Sequence, residues 1–498
     1  PPPEPHAPEH SFPTRRSSDL GGAAQVNVTG GNLSVKADQF ANSWMISGGA
    51  AGGGAAGVGA SLSVAVNAST TKARIGNFAE TNATGITSVH ADSTESVNTI
   101  TVAGSGGGSA GVSGSIGVNV VTSNTEAGIG SNAQVNQTLA AAGQSVDVKA
   151  TDRIESLSVT GAAAGGGAAG VGAAVAVTVA QNTTQAYIGS NAQVSASQDI
   201  SVDASSDKLI DSVAAAGAGG GAAGVAGASS IVAVGMVLDG DSSGGLGNTV
   251  TNTDSETGKS KVGDMLGSSA QSQQTKSDLD SQTGKMAVGG AVSDSAPVPD
   301  QNTIASIGTD ATVKAGRDVT VAASDTTEVL QVGGGAAGGG AAGVAGTLGV
   351  TLLRDSAAAT VGDGAQVDAG RTLDVNAETR ESVLNIGVSA AGGGAAGVSG
   401  SVAINVISSE TVAAIGAAQI NQSVAGSGNR SVLVRAQSDS ERIRQSQHRR
   451  DCTSQQNRHA IRKHGCERSH EHVERKLKSD QGPYELARRR RTPYANVA

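Results

Sequence analysis

The residues best suited to holding a metal ion lie in one short stretch, Asp239-Gly240-Asp241-Ser242-Ser243-Gly244, where oxygen ligands recur at close spacing. Asp239 and Asp241 make a calcium candidate. The stretch occurs once, has no distal Glu in register and lacks the GGxGxD nonapeptide repetition of calcium β-rolls, so a solvated loop is the competing reading. Near the C-terminus, Cys452 and Cys466 with His459, His464, His470 and His472 suggest zinc, but no C-x2-4-C pair is present. Arg488 to Arg491 form a basic run of the kind common in solvated tails, so no nucleic-acid partner is expected. The glycine run GGGAAG has no following Gly-Lys-Ser/Thr and is not a phosphate loop.

Acid–base catalysis needs carboxylates or imidazoles converging on one groove. Between residues 21 and 441 there is one histidine, His90, beside a strand and read as solvated. Acids recur at Asp152 and Glu155 and at Asp325 and Glu328, just after V-x-V strands, where a polar turn would keep sheet edges soluble. The expectation is a non-enzyme with no catalytic residues and no cofactor. A carbohydrate-active β-helix enzyme and a calcium-dependent structural module are the alternatives. N-x-S/T sequons at Asn27, Asn32, Asn67, Asn82, Asn136, Asn182, Asn421 and Asn429 follow from a composition rich in Asn, Ser and Thr.

The elements that would carry these residues are unusual. Of 498 residues only seven are aromatic (one Trp, three Tyr, three Phe) while 72 are Gly. Aromatic and large aliphatic side chains supply most of an ordinary core, so this chain must pack small side chains in a thin, regular interior. Alternating runs such as Ser145-Val146-Asp147-Val148-Lys149-Ala150 argue for strands rather than disorder. No run reaches the roughly 20 apolar residues of a membrane-spanning helix.

The repeat is measurable. GGGAAG or a close variant starts at Gly52, Gly106, Gly165, Gly219, Gly338 and Gly392. Each start follows the middle valine of a V-x-V-x-A-like strand by 17 positions: Val35, Val89, Val148, Val202, Val321 and Val375. An Ile-Gly step follows the run by 24 positions at Gly76, Gly130, Gly189, Gly362 and Gly416, whereas in the fourth copy it is delayed by 65 residues to Gly308. The unit is 54 residues with an optional five-residue loop. Alternating sets such as Leu62, Val64 and Val66, or Val402, Ile404 and Val406, are expected to face a buried interior, and the Ile-Gly glycine to supply a positive φ.

These features predict an all-β, repetitive β-solenoid of the parallel β-helix kind. Three coils of about 18 residues per unit give a rod of about 95 Å. Antiparallel hairpins strung along a rod are the alternative, because alternation fixes strand period but not strand direction.

The chain divides into residues 21–238 and 301–441 as repeats, a Ser/Asp-rich insert at 239–300, and two foreign-looking ends. His10 to Leu20 read as the translation of a sequencing-library adapter, and residues 1–20 are set aside from the fold. From Arg442 to Ala498 the repeat stops and the charge turns to +9, against −17 for residues 21–441, so the overall −9 averages two unlike objects. At 451–453, where the next glycine run belongs, the chain reads Asp-Cys-Thr; an out-of-frame translation or a disordered basic tail is expected.

The combination of V-x-V-x-A, GGGAAGVGA, an S-V-x-V-N-V-like strand and A-x-I-G-x-x-A-x-V resembles the repeats of leukotoxin-type filamentous adhesins of Gram-negative bacteria, which are similar to filamentous haemagglutinin-like proteins. The resemblance spans residues 21–441 outside the insert. It implies a secreted or surface-anchored, non-catalytic stalk mediating attachment to a host-surface or matrix ligand, exported through an outer-membrane translocator, with this chain an internal fragment.

Overall fold

A computed structural model of the chain describes residues 14–137, 141–235, 303–422 and 430–444. All described strands belong to one compact unit, Pro1–Gln445; the second unit, Ser446–Ala498, falls outside the described residues, as do the insert and the tail beyond Arg444.

One full coil shows why this sequence folds as it does. Strand β3 (Leu33–Gly53) runs to a corner at Gly54-Ala55, where β4 (Ala56–Ile75) begins. A second corner, Gly76 to Ala79, leads to the short β5 (Glu80–Ala83), and a third, Thr84-Gly85, to β6 (Ile86–Gly107) of the next coil. The repeat of 54 residues is therefore a single coil, not three. Val35 pairs with Val89, which pairs with Val148, and the ladder continues through Val202, Val321 and Val375 to Val434.

Stacking gives three sheets with parallel strands throughout. Sheet 1 contains β3, β6, β9 (Ser145–Gly166), β12 (Ile200–Gly220), β16 (Val319–Gly339), β19 (Thr372–Gly393) and β22 (Ser431–Arg444). Sheet 2 contains β1 (Thr14–Leu20), β4, β7 (Ala110–Ile129), β10 (Ala169–Ile188), β13 (Ala223–Val234), β14 (Thr303–Ile307), β17 (Ala342–Val361) and β20 (Ala396–Ile415). Sheet 3 contains seven short strands, β5 among them. With about 4.8 Å between strands, the seven strands of sheet 1 stack to about 30 Å, a third of the expected rod, whereas each 21-residue arm runs about 70 Å. The parallel ladders also replace the antiparallel alternative. Pairing extends through Thr14–Leu20, so the first strand of sheet 2 lies within the segment set aside from the sequence.

The insert interrupts one strand of sheet 2. On one side β10 pairs with β13 up to Ala180↔Val234, and then with β14 from Thr184↔Thr303. β17 makes the same two pairings on the other side, so the coil resumes in register after the excursion.

Sheets 1 and 2 face each other across a layered interior. At the sheet 3 end lies a Val/Ile/Ala core that includes Val89, Ile129, Val148, Ile188 and Val194. A charged and hydroxyl layer follows, and then an apolar layer with Val97, Val121, Ile154, Ile210 and Leu353. Beyond it is an amide and hydroxyl layer, in which Asn119 donates to Ser156 at 3.1 Å and Gln331 Nε2 to the Ser230 carbonyl at 2.6 Å. Alanines such as Ala162, Ala174 and Ala214 close the interior toward the glycine corners.

Glycine is required at those corners by close approach. A Cβ on Gly111 would strike the carbonyl oxygen of Gly165 in the facing sheet, and Gly170 meets Gly219 in the same way. The Ile-Gly glycines also serve contact rather than dihedral freedom: a Cβ at Gly189 would lie 2.6 Å from the Ser131 backbone nitrogen one coil away. Positive φ falls two residues later instead, at Phe78, Asn132, Asn191 and Asp310.

The alternating Leu62, Val64 and Val66 face outward, contrary to expectation. Their inward neighbours are Ser63, Ala65 and Asn67, all buried. Val64 and Val66 join Ile116, Val118, Val120, Val175, Val177, Val179, Ile231, Ala233 and Val350 in an apolar cluster drawn from sheet 2 alone. Both parities of a strand can be apolar or small here, so alternation alone does not tell inside from outside.

Candidate functional site

The densest gathering of functional groups is the charged layer between the sheets. Its members come from four register columns. In sheet 1, Ser93, Asp152, Ser206, Asp325 and Thr379 lie on one ladder row, and Glu95, Ile154, Lys208, Thr327 and Glu381 on the row two residues further along. In sheet 2, Ser69, Ser123 and Asn182 form one row, with Thr71, Thr125, Thr184 and Thr303 two residues on. Strand pleating sends every second side chain inward, so each coil delivers the same four positions to the same depth.

Lys208 is the centre of this layer. It is fully buried, its Nζ donating to Asp325 Oδ1 at 2.5 Å, to Asp355 Oδ1 at 3.1 Å and to Thr327 Oγ1 at 3.4 Å. Thr303, the first described residue after the insert, donates to Asp325 Oδ2 at 2.8 Å. Burial opposes the charged lysine, but the two carboxylates outweigh it and raise its pKa. Burial pushes Asp325 above the ordinary carboxylate range, up to about 6, with Asp355 adding to the rise and Lys208 restraining it. Glu381 is pushed up to about 7 by burial and by Asp355. A buried lysine between two aspartates is a structural clamp, sequestered from solvent and from any polymeric substrate.

This corrects the reading of Asp152 and Asp325 as polar-turn residues: both lie inside long strands and are about 1% exposed. Glu155 and Glu328 do face outward, Glu155 accepting from Arg153 Nε at 2.8 Å. Sequence reasoning missed Lys208 and Asp355 because a lone Lys in a Ser/Asp-rich strand looks solvated. The recurrence of Ser, Thr, Asp and Glu at the same unit positions was the signal available.

His90 is half-buried, its Nε2 2.8 Å from Asp147 Oδ2 in the next coil. Similar ion pairs link neighbouring coils on the outer surface, Lys36 with Asp92, Arg153 with Asp207, Arg317 with Asp199 and Arg435 with Asp374. On sheet 2, Glu126 gathers Lys72 Nζ at 2.5 Å and the Tyr187 hydroxyl at 2.8 Å, with Arg74 at 3.6 Å. Burial and the neighbouring Glu126 raise the Tyr187 pKa.

Asp239 and Asp241, Cys452, Cys466, the tail histidines and Arg488 to Arg491 lie outside the described residues. Four sequon asparagines, Asn67, Asn82, Asn136 and Asn182, are buried and cannot carry a glycan in this fold, whereas Asn27 and Asn32 are exposed. Among the described residues no helix is long and apolar enough to cross a membrane. No family model, no curated protein and no solved structure matches the chain.

Proposed function

We propose that the chain is a non-catalytic stalk segment of a secreted or surface-displayed bacterial adhesin, a scaffold that holds attachment loops away from the cell. The observation that carries this reading is the in-register stacking of whole 54-residue coils around a 65-residue excursion. A scaffold of this kind accepts an inserted segment within a strand without loss of phase. The groups that converge, Lys208 with Asp325 and Asp355, are buried where no saccharide can reach them, which favours a scaffold over a carbohydrate-active enzyme.

Surface display tests the proposal. Placed behind an outer-membrane translocator in a Gram-negative host, the chain should raise adhesion of the cells to an epithelial monolayer above a translocator-only control. It should release no sugar from acidic polysaccharides. Adhesion equal to the control, or sugar release abolished by substitution within the chain, would overturn it.

A further inference from the structure

In the two coils that precede the coil of Lys208, the same interior layer holds a second acid pair. Glu95 and Asp152 are buried, and among the described residues neither forms an ion pair. Lys208 is committed to Asp325 and Asp355. Serine hydroxyls surround the pair. Glu95 Oε1 accepts from Ser69, from Ser93 at 2.6 Å and from Ser123 at 3.3 Å, and Ser123 also reaches Asp152 Oδ1 at 2.8 Å.

The other oxygen of each carboxylate, Glu95 Oε2 and Asp152 Oδ2, is buried and receives no donor, and the two carboxyl groups lie within hydrogen-bond reach of each other; burial and this proximity push Asp152 well above the usual carboxylate range. Thr125 Oγ1 and Asn182 Oδ1 are also buried and receive no donor, on side chains that are 0% and 4% exposed. Register shows where Thr125 points. Its counterparts in other coils, Thr71 and Thr303, bond the residue opposite them in sheet 1, Ser93 at 3.3 Å and Asp325 at 2.8 Å. The residue opposite Thr125 on those same rows is Asp152, yet neither Thr125 Oγ1 nor Asp152 Oδ2 has a hydrogen-bond partner. Asn182 neighbours Ser123 in sheet 2 and spans the interior to Ser206, the neighbour of Asp152 in sheet 1, at 2.6 Å.

Four buried oxygens that no other side chain or backbone group donates to, two of them from carboxylates, make a donor set for a hard, oxygen-seeking cation. Such an ion takes oxygens at about 2.3–2.6 Å and can hold two carboxylates against each other with no proton between them. Two carboxylates balance a divalent charge. We propose that Glu95, Asp152, Thr125 and Asn182 bind one divalent cation of the calcium type inside the stack. It plays for the second and third coils the part that the Lys208 ammonium plays for the fourth and fifth. Because the site is closed by strands on both sides, the ion is captured as the coils stack and is retained while they stay stacked.

Metal analysis of the full-length folded chain, purified with calcium and passed over a desalting column in chelator, tests this directly. One calcium per chain should survive chelator at neutral pH and be released on unfolding in guanidinium. The paired substitution Asp239→Asn/Asp241→Asn should leave that content unchanged, whereas Glu95→Gln/Asp152→Asn should abolish it. Chain unfolded in chelator and refolded with calcium should melt about 5 °C above chain refolded without it. A folded wild-type chain that carries no metal, with the same melting temperature either way, would overturn the proposal and leave a shared proton between Glu95 and Asp152. Loss of the ion through Asp239 and Asp241 alone would overturn it equally. The wild-type metal content needs no variant to fold, and it is independent of the adhesion assay.

Discussion

Lys208 and Asp325 are 117 residues apart in the chain, yet Nζ lies 2.5 Å from Oδ1. They sit in adjacent coils, and the insert between them adds length without moving either from its row: Lys208 pairs with Thr327 and Ser206 with Asp325 across the same ladder. An ion pair at the depth of the core thus depends on a register kept through a 65-residue detour.

Removing the lysine should therefore be costly. Lys208→Met leaves Asp325 and Asp355 facing each other without a counter-charge and should lower stability by about 3–5 kcal/mol. Thermal or guanidinium unfolding reads the loss. Restoring charge balance with Asp325→Asn/Asp355→Asn in the Lys208→Met background should recover part of it; a single variant as stable as wild type would remove the clamp from the account.

Excision of residues 236–300 should leave a folded stack. Gly235, Gln301 and Asn302 would then occupy the three positions opposite Gln181, Asn182 and Thr183, joining β13 to β14 as one strand. Circular dichroism should retain the β signal and unfolding should stay cooperative. Collapse of the transition on excision would make the insert a part of the core.

Glycine substitutions should separate by site. Gly111→Ala drives a methyl into the Gly165 carbonyl and should cost about 1–3 kcal/mol, because neither backbone can move without its ladder. Gly161→Ala meets nothing within 4 Å and should be neutral or slightly stabilising through the unfolded chain. Equal melting temperatures for the two variants would refute close approach as the reason for the glycine corners.

Stability should fall as pH rises through the acid range. Glu381, facing Asp355, Asp325 and Lys208, has a folded pKa raised to about 7 from 4.5. The folded chain then holds this proton where the unfolded chain has released it, so the contribution is full below about pH 4.5 and is lost by about pH 7. Glu381→Gln should flatten that part of the stability–pH profile; an unchanged slope would assign the titration elsewhere.

The 54-residue period, the strand character, the position of the insert and the glycine corners are all legible in the sequence, because equivalent residues recur at fixed spacing and stacking requires it. How much chain makes one coil is not legible. A period of 54 accommodates one long coil or three short ones, and only the pairing of Val35 with Val89, with no strand between them in that sheet, decides it. Nor does alternation choose a face. Leu62, Val64 and Val66 alternate with Ser63, Ala65 and Asn67, and hydrophobicity alone puts the wrong set inside. The tertiary structure turns the small and polar set inward, because Asn119, one register step from Ala65, finds amide and hydroxyl partners across the gap from sheet 1. The charged layer belongs to the same class of decision. Its members are scattered from Ser69 to Glu381 and meet only because parallel, in-register stacking brings each coil's equivalent positions to one depth, where burial and proximity shift the titration of Asp152, Lys208, Asp325 and Glu381.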